Sequence, residues 1–168
     1  MENKVLVVYA SKYGATAEIA EKIALVLEQA GLSTDVLPVD RARDLTPYGA
    51  VVLGSAVYVG KWRNEAAMFL QTNEKALVER RVWLFSSGPT GKGDPVELTR
   101  GWRFPAELQP IADRIQPCGM AVFHGNANEK KLNFIEKQMI KTVQAPLGDF
   151  RDWDAITAWA NTIVAALK

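Results

Sequence analysis

Ser11-Lys12-Tyr13-Gly14-Ala15-Thr16 carries the first chemical signal in this chain. The segment follows an apolar run ending at Tyr9-Ala10, and apolar residues at helical spacing begin directly after it. A turn from strand into helix presents unpaired backbone N–H groups and a partial positive charge, which favour an anion. Hydroxyls at Ser11 and Thr16 can donate to phosphate oxygens, and glycine at position 14 lets the main chain approach closely. The chemistry this predicts is phosphate binding. The plainer alternative is an ordinary turn capped by Thr16.

Two later segments take equivalent places. Ala56-Val57-Tyr58-Val59-Gly60-Lys61-Trp62 follows the apolar run 50–53 and Gly54-Ser55, and Ser87-Gly88-Pro89-Thr90 follows the run 82–86. The elements that must position all three read as strands at 4–9, 33–39, 50–53, 82–86 and 120–123. Between them lie helical patterns. The first carries Ile19, Ile23, Val26, Leu27 and Ala30 and stops at Gly31; the second can be capped by Asn64, with Ala67, Leu70 and Leu77 on its inner face. Others cover 105–115, 128–143 and 152–167, the last with the core stripe Ile156, Trp159, Ala160, Ile163 and Leu167. Strands alternating with helices predict an α/β fold, a parallel sheet with helices on both faces, here as one domain over 1–168. In such a sheet ligands sit beyond the carboxyl ends of the strands. The irregular stretch 87–104, with Gly88, Gly91, Gly93 and Gly101, reads as a long functional loop at that end.

Other phosphate sites fit poorly. The turn after the first strand has one glycine where a dinucleotide site wants G-x-G-x-x-G, and Gly88-Pro89-Thr90-Gly91-Lys92-Gly93 fails the P-loop in spacing and in its last residue. A receiver domain needs acidic residues where this chain has Ala10-Ser11 and Gly54-Ser55. Ser11-x-Tyr13-Gly14-x-Thr16 instead resembles the phosphate loop of flavodoxins, [ST]-x-[TY]-G-x-T. That resemblance implies a three-layer sandwich with a five-stranded parallel sheet in the order 2-1-3-4-5, and FMN as cofactor. It places the phosphate on Ser11, Lys12, Tyr13, Gly14, Ala15 and Thr16, and the ring on Ala56, Val57, Tyr58, Val59, Gly60 and Trp62 together with Ser87, Gly88, Pro89 and Thr90. Backbone at Val59-Gly60 would contact flavin N5. Within that group the whole chain is similar to menaquinone-dependent protoporphyrinogen IX dehydrogenases, through Gly60-x-Trp62, "FIEKQMIK" at 134–141 and "DWDAITAWAN" at 152–161.

Composition narrows the function further. Hydrophobic residues make up 48% and charged residues 23%, and the net charge of +1 gives no field to recruit nucleic acid. A single cysteine, Cys118, gives neither a disulfide framework nor a cysteine metal site, and no metal is expected. With no signal-peptide pattern and no long apolar span, the expected location is cytoplasmic. Trp62 is expected as an aromatic lid over the flavin or substrate, with plain packing as the alternative. Lys92, Arg100 and Arg103 are candidates to meet substrate carboxylates, with Trp102 and Phe104 as apolar surface for a flat molecule. His124, the only histidine, is either a proton carrier near the flavin or a hydrogen-bonded residue behind it. Lys130, Lys137 and Lys141 share a helical face with Phe134, which suits weak peripheral contact with an anionic membrane or simply a solvated face. The expected function is an FMN oxidoreductase taking electrons from a reduced organic substrate to a quinone-like acceptor, with no catalytic acid or base apparent. The rival is an electron carrier serving a protein partner. Carriers of this kind are strongly acidic, whereas this chain has 20 basic and 19 acidic residues.

Overall fold

Alternation assigns the faces of the sheet. Leu6 and Val8, Val51 and Leu53, and Val82 and Leu84 join one apolar cluster. Their neighbours Val5 and Val7, Ala50 and Val52, and Trp83 and Phe85 join another, as a period of two requires in strands covered on both sides. The computed structural model describes residues 4–142 and 146–168. Its elements begin with β1 (Lys4–Ala10), α1 (Ala15–Gln29), β2 (Thr34–Pro38), β3 (Tyr48–Tyr58) and β4 (Lys61–Trp62). They continue with α2 (Asn64–Thr72), α3 (Glu74–Val78), β5 (Arg81–Ser87), α4 (Pro95–Leu98), α5 (Gln109–Ile115) and β6 (Gly119–Phe123). The chain ends with β7 (Asn126–Ala127), α6 (Phe134–Thr142), β8 (Gly148–Asp149) and α7 (Trp153–Leu167).

The main sheet runs β2-β1-β3-β5-β6 with every one of these pairs parallel, so the expected order 2-1-3-4-5 is the one found. A short antiparallel addition, β4 on β3, and a β7-β8 ribbon were not foreseen. Helices α1 and α7 cover one face through Ile19, Ile23, Leu27, Ile156, Ala160 and Ile163. Helices α2, α3 and α5 cover the other through Leu70, Leu77 and Ile115. Fully burying each of the larger of these side chains contributes roughly 1.5–3 kcal/mol. Gly54 is fixed by this packing, because a Cβ there would meet the Phe85 ring at 2.0 Å.

Three expected helices change shape. The one from Asn64 divides at Asn73, where the backbone leaves helical values at φ −102° and ψ 14°, and the side-chain amide joins the Asn73 N–H on the Phe69 carbonyl at 2.9 Å and 3.0 Å. Arg63, not Asn64, is its N-cap. The 105–115 range opens with a tight turn at Ala106–Leu108 before α5, whose Pro110 cannot donate the bond that would make one continuous helix. The 128–143 range splits into a turn at Glu129–Lys131 and α6, with Val143 outside the described residues.

Candidate functional site

From β1 the chain crosses to β2 at one edge and returns to β3 on the other side of β1, so the ends of β1 and β3 flank the crevice where winding reverses. The 11–16 loop leaves β1 there. Gly14 is the N-cap of α1 in a left-handed conformation, φ 94°, and no side chain of the described residues caps this helix. Space around Gly14 is open, with nothing within 4 Å of a Cβ built there. Ser11 Oγ accepts from the Gly14 N–H at 3.0 Å, which leaves its own proton free to donate. An uncapped helix start with an open glycine and a free hydroxyl fits a phosphate.

Thr16 does something else. It is 2% exposed, and its hydroxyl bonds Ser87 Oγ at 2.7 Å. The two hydroxyls tie the start of α1 to the end of β5 beneath the loop rather than facing a ligand. The first turn also carries Glu18, an unwelcome charge beside an anion. Arg151, whose side chain is 6% exposed, donates to Glu18 Oε1 at 3.0 Å and to the Ala15 carbonyl at 3.3 Å. It also forks onto Asp149, whose carboxyl it holds below the usual carboxylate range.

The second loop is a two-residue hairpin. Tyr58 pairs Lys61 across Val59 (φ 52°) and Gly60 (φ 71°), two successive positive φ values that define a type I′ turn. Valine is a poor occupant of that conformation, and Val59 is 77% exposed at the ligand end. Tyr58 is on the same rim, and burial of its phenol, with the nearby Glu136 charge, raises its pKa. The hairpin reverses the chain, so Trp62 pairs with Val57 and turns inward. It is 4% exposed, donates from Nε1 to Ser86 Oγ at 2.8 Å and meets Phe104 edge-to-face at 5.1 Å. Trp62 is therefore a core residue, not the expected lid, and Phe104 is packed beneath it rather than offered to a substrate.

The third loop is held from behind. Gly88 donates to the Phe123 carbonyl at 3.2 Å and Gly125 to the Pro89 carbonyl at 2.8 Å. A Cβ on Gly125 would meet Gly88 at 2.9 Å. Buried His124 faces Pro89 O through Nδ1 at 3.1 Å and Gly93 O through Nε2 at 2.6 Å, so it is a brace for this loop behind the rim. Thr90 is half-buried on the same stretch. Beyond it, Trp102 folds back until its Nε1 lies 3.6 Å from where a Gly60 Cβ would stand. Lys92, Arg100 and Arg103 are exposed on this loop.

Sequence reasoning missed two contributors. Arg151 gave no local signal. Glu136 gave one, the Asn133-x-x-Glu136 capping box: Glu136 donates its N–H to Asn133 Oδ1 at 2.8 Å and accepts from the Asn133 N–H at 3.1 Å. Its carboxylate also accepts from Tyr13 Oη and from Lys12 Nζ, the latter at 3.1 Å, and Lys131 Nζ reaches the Tyr13 carbonyl at 3.3 Å. Among the described residues no group of three metal-ligating side chains occurs, and no helix is long and apolar enough to cross a membrane.

With this geometry in hand, the comparisons agree on one class. The flavodoxin domain family model matches residues 6–154, and the chain belongs to that family. An archaeal flavodoxin superposes with TM-score 0.63 at 16% identity, covering 98% of each chain. A short-chain flavodoxin associated with a non-canonical PDU bacterial microcompartment gives 0.62 at 14%, covering 100% of each. Rubredoxin oxygen:oxidoreductase of Desulfovibrio gigas gives 0.61 at 18%, covering 98% of this chain and 36% of that one. No curated protein sequence matches. The fold is flavodoxin-like, its cofactor is FMN, and its chemistry is FMN-dependent electron transfer.

Proposed function

We propose that this flavodoxin-domain protein is an oxidoreductase that passes electrons from a reduced organic substrate of the protoporphyrinogen type to a quinone-like acceptor. In this reading the 11–16 loop holds the FMN phosphate, and the rims at 56–60 and 87–90 hold the ring. Bound FMN supplies the electron chemistry; the chain supplies position. The observation that carries the reading is Trp102 resting against Gly60. It brings the end of the long loop against the rim read here as the ring site, with Trp102 half-buried beside it and Lys92, Arg100 and Arg103 exposed on the same loop. Such a loop offers a flat apolar surface and cations for a planar polycarboxylate. The near-neutral charge balance, 20 basic and 19 acidic residues, supports an enzyme over a carrier that docks by an acidic face.

The acceptor side lies by α6. Phe134 and Ile135 are exposed there, with Lys130, Lys137 and Lys141 also exposed or half-buried. A cytoplasmic protein could use that face for weak contact with the inner surface of a membrane in which quinone dissolves. The test is to shorten the loop between residues 92 and 101. FMN affinity, followed by flavin fluorescence, is expected to hold, while turnover of a carboxylated porphyrinogen with a quinone analogue is lost. Equal turnover by the shortened protein removes the loop from the substrate site. Reduction of a protein partner by the intact chain, with no such turnover, makes it a carrier.

A further inference from the structure

The connection between β7 and α7 is not part of the doubly wound core, yet it is fastened to the phosphate loop. Glu136, on the first turn of α6, accepts from Tyr13 Oη and from Lys12 Nζ at 3.1 Å, and Lys131 Nζ donates to the Tyr13 carbonyl at 3.3 Å. The carboxylate is shielded, with its side chain 12% exposed, and is aimed by the reciprocal Asn133 bonds. An anion of the protein thus occupies the cation and the phenol of two consecutive residues in the loop read as an anion site. A phosphate arriving on α1 brings more charge than a carboxylate. It draws the Lys12 ammonium toward itself and repels Glu136, since like charges in a shielded site disfavour each other strongly.

We propose that Glu136 is a competing anion for the phosphate loop, so that binding of a flavin 5′-phosphate and docking of the 129–142 segment oppose each other. The inference rests on the FMN reading of residues 11–16. It makes Glu136 a positioning residue that sets how strongly the site discriminates a phosphorylated flavin from a bare one. Coupling between two sites is reciprocal, so the phosphate must loosen the segment by the factor that the segment weakens the phosphate. Loosening presents Phe134 and Ile135, already exposed, on a less constrained element.

The full chain is titrated with FMN and with riboflavin, as wild type and as Glu136→Gln; glutamine keeps the capping box and removes the charge. The substitution is expected to tighten FMN about 5- to 20-fold, at the lower end of the ordinary range of such couplings, and to leave riboflavin unchanged. In hydrogen exchange on the wild type, FMN is expected to speed exchange across 133–142 and riboflavin to leave it alone. Unchanged or weakened FMN binding in Glu136→Gln overturns the inference, as does exchange that FMN leaves unchanged or slows. Equal affinity for FMN and riboflavin in both the wild type and Glu136→Gln overturns the phosphate reading itself, and the inference falls with it. A retained FMN preference with no effect of Glu136→Gln removes the inference alone.

Discussion

The side of the crevice read as the phosphate site and the side read as the ring site are built differently. The 11–16 loop stands on buried hydroxyls, with Thr16 and Ser87 at 2.7 Å beneath it, and its one left-handed residue is a glycine. The 56–60 hairpin stands on buried Trp62 but puts a valine where a glycine or asparagine would be relaxed, at φ 52° and in solvent. One side is held relaxed over a buried hydroxyl pair; the other stores strain at an exposed turn. Sparsely populated backbone conformations persist only when the surroundings enforce them, at roughly 1–3 kcal/mol each. Here the enforcing partners are the β3-β4 pairing and the Trp62 bond to Ser86.

The sharpest way to break this contrast is Trp62→Ala. Loss of a buried indole and of its bond to Ser86 is expected to cost about 3–5 kcal/mol in chemical denaturation. A lid residue would leave stability untouched and change only flavin fluorescence. Thr16→Ala comes next. Stranding Ser87 is expected to cost about 1–3 kcal/mol of folding free energy and to weaken FMN more than riboflavin by loosening the phosphate side; an effect on neither would make the brace idle. The opposite sign is expected on the ring side. Val59→Asn relaxes the turn and is expected to add about 1 kcal/mol, seen as a raised melting temperature, whereas a fall would mean that Val59 is not strained.

The smallest effect concerns pH and the 129–142 segment. Burial pushes the Glu136 carboxyl up, but hydrogen bonds from Tyr13, the Asn133 N–H and Lys12 outweigh it and hold the group below the usual glutamate range. A value lower when docked than when free means docking is at full strength above the free value and is lost as pH falls through the docked one. Hydrogen exchange across 133–142, corrected for its intrinsic pH dependence, is expected to be steady at neutral pH and to quicken only in the acid range. Quickening near neutral pH would contradict the hydrogen bonds that hold the carboxylate.

The layers were legible because strands and helices keep different periods. Ile156, Ala160 and Ile163 could only be one helical stripe, and Leu6 and Val8 could only share a face. The position of the three candidate loops after β1, β3 and β5 was legible for the same reason: each follows an apolar run. The direction of Trp62 was not, because Val-Gly is a weak hairpin signal and a two-residue turn sends the next residues back along β3. Contacts between Glu136 and Tyr13, or Arg151 and Glu18, join residues more than a hundred positions apart, and no local pattern encodes them. Asn73 dividing a helix turns on the backbone conformation of one residue, with its side chain folded back onto the Phe69 carbonyl, which periodicity does not register.

Arg151 is a junction between elements far apart in the chain. Its guanidinium bonds Ala15 and Glu18 on α1 and Asp149 on β8, and it lies over the Trp153 ring at the start of α7. A shift in β8 or α7 is therefore felt at the first turn of α1, so the shape of that helix start is governed as much by the 148–153 stretch as by its own loop.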